Sequence, residues 1–188
     1  MRKLKVFLAV LLASLSLHIH PSEIDSLLRE LDMSIRNRPQ YTLKRQEQID
    51  ALQRKLRLSH SDQERYDLYR ELFGKYRSYR MDSALWVANQ RVELAKRMKN
   101  PLYVRSAELN IAEVMIGVAM YKEGLEILDG IKSADLDASG VSYYYYQYHQ
   151  VYTLMADYAF SDQMKEHWHT NIKILLSVCA VPVHRVIC

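Results

Sequence analysis

The chain has 188 residues, a formal net charge of +4 and only five glycines. Three of the positive charges are Arg2, Lys3 and Lys5 at the N-terminus. Without them the balance is +1, too small for the electrostatic footprint of a nucleic-acid binder. No Gly-rich phosphate loop, no G-x-S-x-G and no H-E-x-x-H occurs, so the usual motifs of nucleotide binding, acyl hydrolysis and zinc proteolysis are missing and no cofactor is expected.

Taken in order, Arg2, Lys3 and Lys5 precede an apolar run from Val6 to Leu17 that only Ser14 and Ser16 interrupt. A short basic region followed by about a dozen apolar residues is the pattern of a secretory signal peptide, assigned here to residues 1–20. The run is shorter than the ~20 residues that span a bilayer; the alternatives are an uncleaved anchor or a buried helix. Residues 21–60 then hold two apolar stripes, Ile24, Leu27, Leu28, Leu31 and Ile35, and Ile49, Leu52 and Leu56. Arg38-Pro39 lies between them, and a residue before proline is pushed out of the helical region. The spacing therefore predicts two helices, 22–37 and 40–58, either a hairpin or a short coiled coil making a homodimer through 22–58. The cations Arg36, Arg38, Lys44, Arg45, Arg54, Lys55 and Arg57 of this stretch read as a wet helix face. The competing reading is a cytoplasmic nucleic-acid-binding regulator that uses them on phosphates.

Ser61-x-x-Glu64 is a capping box for a helix over about 62–78 carrying Tyr66, Tyr69, Leu72, Phe73 and Tyr76, read as core rather than groove. A partner helix, capped at Asp82 or its neighbour, places Ala84, Leu85, Ala88, Val92 and Ala95 on one face and ends before Asn100-Pro101. Two more amphipathic helices follow from Arg105 to Ile131, with a turn near Ala119–Lys122. Ile111, Met115 and Val118 make the stripe of one, and Leu125, Leu128 and Ile131 that of the other. Ser133–Gly140 is polar and turn-like. The run beginning VSYYYYQYHQ then sets Tyr145, Tyr148, Tyr152 and Met155 on one face, with Asp157-Tyr158 at the next turn.

A second helix of that hairpin is expected from Ser161, but its stripe fades after Trp168. The run ILLSVCAVPVHRVIC reads as strand-like, and residues 171–188 as an atypical tail of a truncated or out-of-frame chain. His167-x-His169, Cys179, His184 and Cys188 are metal-ligand types without the tight paired spacing of structural zinc sites, so no metal is expected, although a metal-dependent enzyme is the third functional class. Cys179 and Cys188 either form a disulfide or stay unpaired.

The hairpin of Ile111-Ala112, Met115, Tyr121, Gly124 and Leu128 resembles a tetratricopeptide repeat, in which small residues such as Ala112 and Gly124 let two helices approach closely. Glu108 departs from the pattern at the leading Trp and Leu136 at the closing Pro. The resemblance implies an all-α fold, a short solenoid of stacked hairpins over 61–170 behind the N-terminal helical pair. It places Ser106, Leu109, Glu113, Ile116 and Gly117 on the concave, ligand-facing side. Relatives that clamp a peptide carboxylate use Lys and Asn there, and Leu109 and Glu113 depart from that. Tyr143 and Tyr146 are added as stacking positions for a peptide or carbohydrate.

The wider order of elements, LLRELDMSIRNRPQYTLKRQEQIDALQRKL and then SDQERYDLYRELFGKYRSYRMDSALWVANQRVELA, looks like exported tetratricopeptide-repeat proteins of Gram-negative bacteria often labelled transcriptional regulators. That likeness implies a periplasmic, non-catalytic scaffold that binds a protein or peptide ligand, the sensory half of a signalling protein, with no nucleic acid as partner.

Overall fold

The computed structural model describes residues 21–180, so the signal-peptide expectation and the stretch 181–188, with Pro182, His184 and Cys188, lie outside the described residues. Seven α-helices and one 3-10 turn, with no strand, make up the described part: α1 (Pro21–Leu58), α2 (Asp62–Tyr76), α3 (Met81–Arg97), α4 (Pro101–Gly117), α5 (Tyr121–Asp129), the 3-10 turn (Ser133–Asp135), α6 (Ala138–Asp157) and α7 (Asp162–Ala180). The all-α stack of helical hairpins expected from the sequence is the fold observed.

The chain divides into two units, Met1–Gln48 and Ile49–Cys188. In the first, the expected break at Arg38-Pro39 does not occur, and a single helix runs through Pro39. Proline removes one backbone donor and crowds the carbonyl four residues back, here that of Ile35. Every residue from Ile24 to Lys44 is exposed, so water replaces the lost partner and no packing partner demands a turn. The same exposure leaves Ile24, Leu28, Leu31 and Ile35 about half open to solvent.

The second unit begins with the last turns of α1 and continues through the hairpins α2/α3, α4/α5 and α6/α7. Each starts at a local signal. The Ser61 hydroxyl accepts from the Glu64 N–H at 3.3 Å, while the Glu64 carboxylate accepts from the Ser59 hydroxyl at 2.6 Å. Asn100 caps α4 by accepting from the Tyr103 N–H at 3.2 Å, with Pro101 placed where its missing N–H is harmless. Asp137 caps α6 through the Gly140 N–H at 2.7 Å, so the turn expected up to Gly140 closes at Asp137, and Ala138 opens the helix. The cap expected at Asp82 or its neighbour is not made: Arg80 holds the N-cap position with no side-chain bond.

The ends of α3 and α4 share one device. Lys99 and Ala119 take left-handed backbone angles, φ 53 and 64, and the next residues, Asn100 and Met120, donate back to Ala95 and Met115 at 3.2 and 2.9 Å. This closes orphan carbonyls at a strain that glycine would avoid.

Two cores result. The first packs Tyr66, Tyr69, Leu72, Phe73 and Tyr76 against the small Ala84, Ala88 and Ala95, with Ile49 and Leu52 of α1 beside them, so the aromatics are core as expected. The second joins Leu109, Ala112, Ile116, Leu128, Tyr148 and Val151. Helix α4 is the wall between them. Its Ile111 and Met115 pack on the first core, and Leu109, Ala112 and Ile116 build the second. A Cβ on Gly124 meets Ile116 Cγ1 at 2.8 Å, so the small residue is needed for the close approach of α5. The stretch 174–180 continues α7 as a helix rather than a strand-like run, and Leu175 rests on the second core.

Candidate interaction surface

The first helices of the three hairpins are tied together by polar side chains. Arg77, the C-cap of α2, donates to one Glu113 oxygen on α4 at 2.9 Å. The Tyr143 hydroxyl on α6 donates to the other oxygen of that carboxylate. Glu113 thus holds a neighbour on each side. Its charge raises the Arg77 guanidinium above the ordinary arginine range, an effect softened by solvent because Arg77 is half exposed.

The chain of contacts continues inward. The Asn110 side chain also acts on the Tyr143 phenol, opposing part of its rise, and the buried Asn110 accepts from the Arg91 guanidinium. Arg91 is 1 % exposed. Its guanidinium carbon lies 4.4 Å from the centre of the Tyr66 ring, which stacks on Tyr103 at 4.5 Å. The Tyr66 hydroxyl donates to the Tyr103 carbonyl at 2.8 Å, and the Ser106 side chain acts on the same phenol. Burial lowers the Arg91 pKa, yet arginine stays protonated in proteins. Among the described residues its Nε has no partner.

The residues expected on a concave face divide. Leu109 and Ile116 are 1 % and 2 % exposed within the second core, so they offer no surface to a ligand; α6 covers the side of α4 that the repeat template leaves open. Ser106, Glu113 and Tyr143 are half-buried members of the polar chain. Gly117 is exposed beside the Met81 methyl, and Tyr146 is 58 % exposed. The structure therefore joins Glu113 and Tyr143, sets Ser106 half-buried beside Tyr66, and leaves Tyr146 and Gly117 at the surface.

Arg77, Arg91, Asn110 and Gln147 were not expected here. Gln147 is fully buried and donates to the Leu109 carbonyl at 2.9 Å, stitching α6 to α4. Arg91 carried a readable signal: it stands three residues after Ala88 and four before Ala95, on the buried stripe of α3.

Two grooves open elsewhere on this unit. One, of about 350 Å³, lies between α6 and α7 and is walled by Tyr144, Tyr145, Tyr148 and Tyr152. Tyr148 donates to Asp129 at 2.5 Å, and Tyr152 stacks on Trp168. The other, of about 480 Å³, lies between the end of α1, α2 and α3, with Arg57, Arg80 and Trp86 at its edges. Among the described residues no cluster of three His, Cys, Asp or Glu has metal-binding geometry, and no helix is long and apolar enough to cross a membrane.

Burial, then the Glu113 charge, pushes the Tyr143 phenol above its ordinary range. Burial and the bond to Asp129 do the same to Tyr148, and burial raises Tyr66 and Tyr152. A phenol is neutral when protonated, so a raised folded value means that the folded chain keeps its proton more tightly. Stability is then complete below the unfolded phenol pKa of about 10 and declines as the pH rises past it. Tyrosinate absorbance and helical circular dichroism should change together above pH ~10, and Tyr148→Phe should make the decline shallower. Ordinary phenol titration with helicity intact would disprove this.

The family model for the SusR N-terminal TPR domain matches residues 35–177. No curated protein and no solved structure matches the chain.

Proposed function

The chain belongs to the SusR N-terminal TPR domain family, and from that premise we propose that it is a non-catalytic, periplasmic scaffold that binds a protein or peptide ligand as the sensory half of a signalling protein. A TPR domain is a protein-interaction repeat, in which stacked hairpins present an extended surface. The observation that carries the reading here is Glu113, whose two oxygens hold Arg77 beside α2 and Tyr143 on α6. That link sets the first helices in register and surrounds a ridge with the accessible Gly117 and Tyr146. Export is supported by the Arg2, Lys3, Lys5 and Val6–Leu17 pattern. The half-exposed Ile24, Leu28, Leu31 and Ile35 alternate steps of four and three along α1, the spacing of a coiled-coil seam, which supports pairing with a second copy.

The test places a photo-crosslinking amino acid at Tyr146 and, as control, at Lys122 on α5, which is well exposed. Irradiation in the native host should give one discrete adduct from the first position and none from the second. Equal adducts from both, or none from either, overturn the ligand face. The recovered mass reads the compartment: a periplasmic product shorter by about 16–20 residues fits export, and a full-length cytoplasmic product rules it out.

A further inference from the structure

The groove between the end of α1, α2 and α3 lies apart from the Glu113 ridge and is built for a different contact. Its floor is apolar, with Leu72 and Val87 almost completely buried. Trp86 stands beside it 56 % exposed, its ring held edge-on to Tyr69 at 6.1 Å. A large aromatic ring already fixed in place loses little freedom on binding, and Trp and Arg dominate interface energetics.

The rim is cationic. Arg57 and Arg80 border the groove and make no ion pair among the described residues. Arg54 and Lys55 stand just before Arg57, and Asp82 is the one carboxylate of the lining. For Lys55 and Arg57, the C-terminal end of α1 is an ordinary place for positive charge. For Arg80 it is not. Arg80 is the N-cap of α3 and makes no side-chain cap bond, at a position where helices prefer Ser, Thr, Asp or Asn and the dipole disfavours a cation. A residue that costs the local helix stability, next to an exposed Trp and over an apolar floor, is the kind of local inconsistency found at functional sites.

We propose that this groove docks an acidic peptide segment of a partner protein, which seats an apolar side chain on Leu56 against Trp86 and lays its carboxylates on Arg57 and Arg80. Arginine's planar fork pairs carboxylates bidentately, and Asp82 on the same rim disfavours a second acidic residue at its own position.

The experiment pans phage-displayed random peptides on the immobilised full chain. The recovered peptides are then titrated into W168F, which leaves Trp86 as the sole indole of the two in the sequence. Enrichment of Asp and Glu around an apolar residue is expected, with a change in Trp86 emission on binding. Affinity should fall about tenfold or more in W86A and in the double variant R57E/R80E, rise a few-fold in D82N, and weaken with added salt. Unchanged helical circular dichroism shows that each variant is folded. Peptides without acidic enrichment, or equal affinity for the wild type and both variants, overturn the proposal. Two further outcomes do so as well: Trp86-dependent flotation with phosphatidylglycerol vesicles when no peptide is recovered, which assigns the groove to a membrane surface, and self-association lost in W86A by sedimentation velocity, which assigns it to a second copy.

Discussion

Leu109→Ala is expected to lower the unfolding free energy of the chain by about 3 kcal/mol, read as a shift of the urea midpoint followed by circular dichroism. Leu109 is 1 % exposed and belongs to the core that Ile116, Leu128 and Val151 complete. The Gln147 amide also grips its carbonyl, so the backbone there is held from α6 and cannot collapse freely into the space that truncation leaves. Leu109→Lys should go further and unfold the α4 to α7 part, because burying an ammonium group among Ile116, Leu128 and Val151 strips it of its hydration. Tyr146→Ala, at an exposed position, should change stability by no more than about 0.5 kcal/mol. A loss under about 1 kcal/mol for Leu109→Ala would mean that the side chain faces solvent, and would restore it to a ligand face.

The hairpins were legible because their signals are local. Ser61, Asn100 and Asp137 act within three residues, and the stripe of Ala84, Ala88 and Ala95 repeats with the helical period. What one stripe per helix conceals is a helix buried on two sides. In α4, Ile111 and Met115 of the expected stripe pack on the first core, whereas its third member, Val118, is the C-cap and stays exposed. Leu109, Ala112 and Ile116 form a second stripe, rotated from the first, that only the arrival of α6 explains. The repeat template gave Leu109 and Ile116 of that stripe to a ligand, where tertiary packing uses them for the chain itself.

Pro39 misled for a complementary reason. Its local cost is real, but a turn needs something to fold back onto, and the exposed stretch from Ile24 to Lys44 has nothing there. The polar chain from Arg77 to Arg91 was the least legible feature. Its members lie on α2, α3, α4 and α6, and no spacing within one helix announces a bond between Tyr143 and Glu113.

Arg91 is the member of that chain with the largest expected consequence. Arg91→Ala should destabilise the fold by about 3 kcal/mol, and Arg91→Met by about 1 kcal/mol. The buried guanidinium is held by the face of Tyr66 and by Asn110, and the carboxylate of Asp67 favours its charge only at a distance, without an ion-pair contact. Its charge is therefore retained against a desolvation penalty that an ion pair does not offset. Alanine removes the packed stem as well as the charge, leaving a cavity beside Tyr66 and an Asn110 oxygen short of its donor. Methionine fills most of the stem's volume and removes the desolvated charge, so only the orphaned Asn110 counts against it. If that account holds, Arg91→Met combined with Asn110→Leu should recover stability relative to Arg91→Met alone, because both partners become apolar together. A double variant no more stable than the single one would mean that the contact of Asn110 with Tyr143 outweighs its bond to Arg91, and that the network is anchored from the Glu113 side.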